Sequence, residues 1–182
     1  MSKPASQSSF TAKLLQPSDT VGEGWSFLLL PRGVSEKLAR RGRTSVEGSI
    51  NGHPFQAMLE PDGQLSHWLK VSKELREASG IKVGDMVAME IAATDKELEP
   101  ELPEDFQQAL SAAADARDIW EATTTVARID WIHWIESAKQ AKTRQSRIES
   151  ACDMLASGKK RVCCFDQSGF YSKSLSAPTP AE

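Results

Sequence analysis

The residues of this 182-residue chain best suited to chemistry are four cations and two tryptophans: Lys139, Lys142, Arg144 and Arg147, with Trp131 and Trp134 just upstream. Arg144 and Arg147 stand three apart, so on a helix they share a face, and their planar forks can grip one phosphate or carboxylate together. The two indoles would offer stacking faces beside that grip. Lys159, Lys160 and Arg161 extend the positive charge. The competing reading is ordinary: tryptophans fill the core of a small helical unit, and the cations are solvated or paired with nearby acids. Arg40, Arg41 and Arg43 form a second cluster, of the kind that contacts nucleic acid from a loop.

Other reactive side chains are scattered. His53, His67 and His133 fall in three different elements, and their spacing suits neither a metal nor an acid–base pair. Ser66 adjoins His67, and Cys163 adjoins Cys164, but neither pair has a nucleophile elbow or an oriented base. Gly22, Gly24, Gly80 and Gly84 fit turns and no phosphate loop. No catalytic residue, metal or cofactor is therefore expected. Three cysteines, two of them adjacent, make a poor disulfide framework and read as free thiols of a reducing compartment.

Charge separates the chain into parts. By count, residues 96–138 carry three basic and ten acidic side chains, whereas residues 139–161 carry seven basic and two acidic. Residues 10–95 are balanced, with ten basic and eleven acidic, which lacks the excess that drives nucleic-acid binding. No run approaches the roughly 20 apolar residues of a membrane span, and the N-terminus lacks an apolar secretory segment, so a cytoplasmic protein is expected.

The elements that must position these groups follow from local signals. Residues 71–91, VSKELREASGIKVGDMVAMEI, carry the densest set: Ser72 caps a short helix, Gly80 ends it, and Gly84-Asp85 turns into a strand. In that strand Met86, Ala88 and Glu90 point one way and Val87, Met89 and Ile91 the other. Strands are expected at 10–15, 24–30, 44–50, 54–59 and 65–70, with Asn51-Gly52 as a hairpin turn. Residues 31–42, PRGVSEKLARRG, read as a short helix ending at Gly42. Strand, helix, glycine and strand recur about 40 residues apart, which predicts two units packed about a pseudo-two-fold axis, and hence a monomer.

Residues 97–102 read as an acidic linker. Beyond it, Pro103 with Glu104 and Asp105 starts one helix, in which Phe106, Ala109, Leu110, Ala113 and Arg117 run at helical spacing as far as Trp120. Thr123–Thr125 cap a second helix with Ala127, Trp131, Trp134 and Ala138 on a stripe, and a third spans residues 141–157. The expected organisation is a disordered tail at 1–9, a β-barrel domain at 10–96, the linker, a helical domain at 103–161 and a mostly disordered tail at 162–182. The fold class is α+β: a small pseudo-two-fold double-split β-barrel followed by a small all-helical domain.

The segment KELREASGIKVGDMV resembles the strand–helix–turn–strand unit of AbrB-like and other double-split β-barrel proteins. The order GWSFLLLP, VEGSINGHPFQAML, LKVSKELREASGIKVGDMV, LPEDFQQAL, WIHWIESAKQAKTRQSRI and LASGKKR is similar to a bacterial family over residues 10–161. In that family a barrel domain of unknown function precedes a YdeI/OmpD-associated helical domain. The resemblance implies protection against bacteriocins or cationic antimicrobial peptides and association with an outer-membrane porin. Lys142 and Trp131 stand where that family commonly carries an acidic residue and a tyrosine. The expected function is a non-catalytic binding or stress-protection module for an unknown protein or anionic ligand, with a nucleic-acid-binding regulator and an unrecognised enzyme as alternatives.

Overall fold

The computed structural model describes residues 7–18, 24–38, 40–94, 96–163, 165–173 and 175–181. Two compact units result, one drawn from Met1–Lys96 with Ser168–Glu182 and the other from Glu97–Gln167.

The first unit is a curled six-stranded antiparallel sheet made of β1 (Gln7–Lys13), β2 (Ser26–Leu29), β3 (Thr44–Ile50), β4 (His53–Pro61), β5 (His67–Val71) and β6 (Met86–Ala93), in the order β1-β6-β3-β4-β5-β2. Helices α1 (Arg32–Ser35) and α2 (Lys73–Ser79) precede β3 and β6. Leu15 and Phe27 exchange two backbone hydrogen bonds of 2.9 and 2.8 Å, joining the chain beyond β1 to the opposite edge strand β2. Exchanging β1 with β4, β2 with β5 and β3 with β6 leaves this pattern of pairings unchanged, so the repeat in the sequence is also a repeat in the sheet.

Local chemistry accounts for the joints. Asn51 and Gly52 both have positive φ, 47° and 83°, as a two-residue hairpin with native strand twist requires. The Ser72 hydroxyl accepts from Leu75 N–H at 3.1 Å, and Gly80 closes α2 at φ 71°. Strand β6 alternates as its sequence predicts, with Val87, Met89 and Ile91 buried and Met86, Ala88 and Glu90 exposed. Several boundaries differ from expectation; β2 and β4, for instance, run Ser26–Leu29 and His53–Pro61. Strand β1 begins at Gln7, because Gln7–Ser9 pair with Ala92–Glu90 and residues 7–9 are not a tail. Asp62 Oδ1 accepts from Gln64 and Ser66 N–H at 2.7 and 2.9 Å, and the resulting turn delays β5 from residue 65 to His67. Helix α1 stops after Ser35, with only a looser turn beyond it.

The C-terminal stretch also departs from a disordered tail. Ala181 N–H donates to Gln16 O at 2.7 Å, Ser18 N–H donates to Thr179 O at 2.8 Å, and Pro17 bridges Pro180. Gly63, at φ 77°, lies against the Leu175 carbonyl with no room for a side chain. Residues 1–6 and 182 lie outside the described residues.

The second unit contains α3 (Glu104–Ser111), α4 (Ala114–Ala122), α5 (Thr125–Glu136) and α6 (Ala141–Ala156). The single helix expected over residues 103–120 is broken at Ala113, which has φ −125° and ψ 83°. Packing forces the break. An unbroken helix would hold Phe106 and Trp120 about 21 Å apart along its axis. Here their rings meet edge to face at 5.1 Å. Residues 97–102 also belong to this unit instead of linking to it: Leu102 packs on the helical core and Glu99 pairs with Arg128 at 2.8 Å. Helix α6 packs against the other three, whereas α5 is buried on nearly every side, and Trp131 is fully enclosed with its Nε1–H donating to Lys160 O at 3.2 Å. Among the described residues no helix is long and apolar enough to cross a membrane.

Candidate functional site

The two arginines expected to share a grip diverge. Arg144 forks onto Asp105 from Nε and Nη2, at 2.7 and 3.1 Å, clamping α6 to the start of α3. Arg147 Nη1 instead donates to Trp134 O at 2.6 Å and Ser137 Oγ at 2.9 Å, satisfying a carbonyl at the C-terminal end of α5, where a cation is favoured. Its guanidinium lies 5.5 Å from the Trp134 ring centre. Trp131, enclosed in the core, presents no stacking face. Lys139 and Lys142 are exposed beside these paired groups. The cluster therefore holds three helices together more than it opens to a ligand.

Hydrogen bonds from the Arg144 guanidinium hold the Asp105 carboxyl below its ordinary value of 3.8. The stabilisation from such a depressed acid is present above pH 3.8 and is lost as pH falls through the lower folded value. Arg144→Ala is expected to cost about 0.5–1 kcal/mol at neutral pH, since the pair is bidentate yet partly exposed. Urea unfolding as a function of pH checks this: parent and variant differ at neutral pH and converge in acid.

The second cationic cluster is likewise drawn inward. Arg43 Nε pairs with Glu60 at 2.8 Å and Arg40 Nη1 donates to Arg43 O at 3.0 Å, leaving Arg41 as the exposed member.

The fold makes one pairing that sequence order hides. His67 Nε2 donates to Gly42 O at 2.8 Å, so Nδ1 accepts from the Ser35 hydroxyl at 2.6 Å. Burial pushes the imidazole below 6.5. Serine donating to histidine is the geometry of an activated nucleophile. Both residues are nevertheless buried, at 4% and 2% exposure, and the pair ties α1 and the loop before β3 to β5. Ser66, the sequence neighbour, bonds Leu30 O at 3.1 Å instead. Burial pushes the Cys152 thiol up, away from reactivity. Cys163 is exposed and its thiol donates to the Met154 sulfur at 3.7 Å; Cys164 lies outside the described residues.

A ligand-sized cavity lies elsewhere in the helical unit. Between α3 and α4 opens a cleft of about 350 Å³, within the roughly 300–1,000 Å³ typical of ligand sites. Leu102, Leu110 and Trp120 form its apolar floor, and Gln107, Ser111, Arg117, Glu121 and Arg128 supply polar groups. It exists because the helix breaks at Ala113. Sequence periodicity assigns Leu110 and Trp120 to one continuous core stripe and so cannot reveal it.

Residues 99–158, which include this cleft, match a known family. That family is described as Bacteriocin-protection, YdeI or OmpD-Associated. The bacteriocin-protection match begins at Glu99, the residue that bonds Arg128, and so includes most of the stretch expected to be linker. Residues 10–91 match a second family, a domain of unknown function (DUF1905) that coincides with the curled sheet. No curated protein matches the chain.

Proposed function

We propose that this chain is a non-catalytic binding module that holds a peptide or protein partner in the α3–α4 cleft, serving the protective role named by the bacteriocin-protection family. The cleft carries this reading. Three apolar residues beneath five polar or charged ones combine contact area with hydrogen-bonding groups, and the cleft falls within the family match. Glu101, Glu104, Asp115, Asp118 and Glu121 are exposed in the same unit, so a cationic partner gains from long-range attraction. The exchange symmetry of the sheet supports the further reading of the first unit as a double-split, AbrB-like barrel that carries this module.

Ser111→Trp tests the proposal, because Ser111 is exposed at the cleft and an indole there would fill the cavity without disturbing the core. A labelled cationic amphipathic peptide is expected to bind the parent protein with affinity that falls as salt rises. The variant should bind at least about tenfold more weakly at an unchanged melting temperature. Equal binding by both proteins, or none by either, would sink the reading.

A further inference from the structure

Resting on that reading, we propose that the occupant of the cleft is the C-terminus of a peptide or protein, its last side chain apolar and its free α-carboxylate held by Arg117. Charge placement carries the inference. Residues 97–138 contain ten acidic side chains and two arginines, Arg117 and Arg128, and both arginines line the cleft. The apolar floor thus lies beside a spot of positive charge, Arg117, in an otherwise acidic stretch of chain. A cationic side chain would be opposed at that spot, and an internal peptide segment would gain nothing from it. A chain terminus whose apolar side chain and carboxylate leave the same carbon matches both features.

The two arginines have different roles. Arg128 is occupied, with Nη1 on Glu99 at 2.8 Å, Nη2 on Thr123 O at 2.8 Å and on Glu121 O at 3.2 Å, and Nε on Thr123 Oγ1 at 3.2 Å. Its charge is matched by Glu99, and it fixes that wall of the cleft. Arg117 is exposed on α4, and among the described residues its guanidinium makes no ion pair or hydrogen bond, so its fork is open to a carboxylate. From α3, Gln107 offers an amide donor and acceptor for the last peptide bond. The Ser111 hydroxyl donates to Gln107 O at 2.9 Å and keeps its lone pairs to accept. Glu121, one turn beyond Arg117, favours positive charge on preceding ligand residues.

Two lysine-containing hexapeptides ending in leucine, identical except for a free C-terminal acid or an amide, provide the test by fluorescence anisotropy against the full chain. The acid is expected to bind at least about tenfold more tightly than the amide, because the amide forfeits a charge-assisted bond. Arg117→Met should erase that preference, and Arg117→Lys should restore part of it. Acid and amide binding equally, while Ser111→Trp still blocks both, would overturn the terminal anchor and leave the peptide-binding reading standing. Binding of neither peptide would overturn both.

Discussion

Replacing Gly48 with alanine is expected to abolish the six-stranded sheet while the signals of the helical unit persist. Gly48 sits inside β3, opposite Phe55 of β4 and Ile91 of β6. A Cβ there would overlap the Glu90 carbonyl oxygen and come within 2.7 Å of its carbon and 2.9 Å of Ile91 Cα. All of these are backbone atoms of the neighbouring strand, so no rotamer change relieves the overlap. Relief requires separating β3 from β6, whose five paired positions run from Val46 to Ile50. The cost should exceed about 4 kcal/mol, a large part of the roughly 5–15 kcal/mol that stabilises a typical domain. Loss of the sheet's amide resonances with retention of those from α3 to α6 is the expected NMR result. Gly33→Ala is the matched control, since nothing lies within 4 Å of its added Cβ. A folded, parent-like Gly48→Ala sheet would contradict the register of β3 against β6.

The second large effect is expected at Trp131. Truncation to alanine removes the largest fully buried side chain and the bond from Nε1 to Lys160 O, at a cost of about 3–5 kcal/mol. Trp131→Phe should fall between, keeping most of the volume and losing the bond. Denaturant unfolding followed by far-ultraviolet circular dichroism separates the three proteins. The outcome also decides between the two roles that the sequence allows this residue. A stacking platform could be truncated at little cost to stability, whereas a core tryptophan cannot.

Features set by a few adjacent residues are legible in the sequence alone. Asn51-Gly52, the Ser72 cap, the Gly80 stop and the alternation of β6 each depend on chemistry within one or two turns of chain, and each appears where its signal stands. Features set by distant partners are not. Ala112 and Ala113 are strong helix formers, yet the helix breaks there because Phe106 and Trp120 gain more by meeting. The spacing of Arg144 and Arg147 implies a common face, but their partners are decided by Asp105, 39 residues upstream of Arg144, and by the carbonyl of Trp134. Glycine by its type weakens a strand, and the necessity of Gly48 becomes visible only once Glu90 is placed beside it. The cleft is hidden for the same reason: Leu102 reads as linker, whereas Leu110, Arg117 and Trp120 read as parts of one continuous helix.

The return of the C-terminal stretch to the first unit sets an order of events during synthesis. Residues 1–96 supply the six strands, yet Gln16 and Ser18 await backbone partners at Ala181 and Thr179, which are made after the whole helical unit. At roughly 5–20 residues per second, about 4–17 s pass between the emergence of β6 and that of Pro180. A nascent chain therefore presents the polar groups of Gln16 and Ser18 for several seconds, long after the strands themselves can pair. A chain that stops anywhere in the helical unit has the six strands but leaves the backbone groups of Gln16 and Ser18 without these partners.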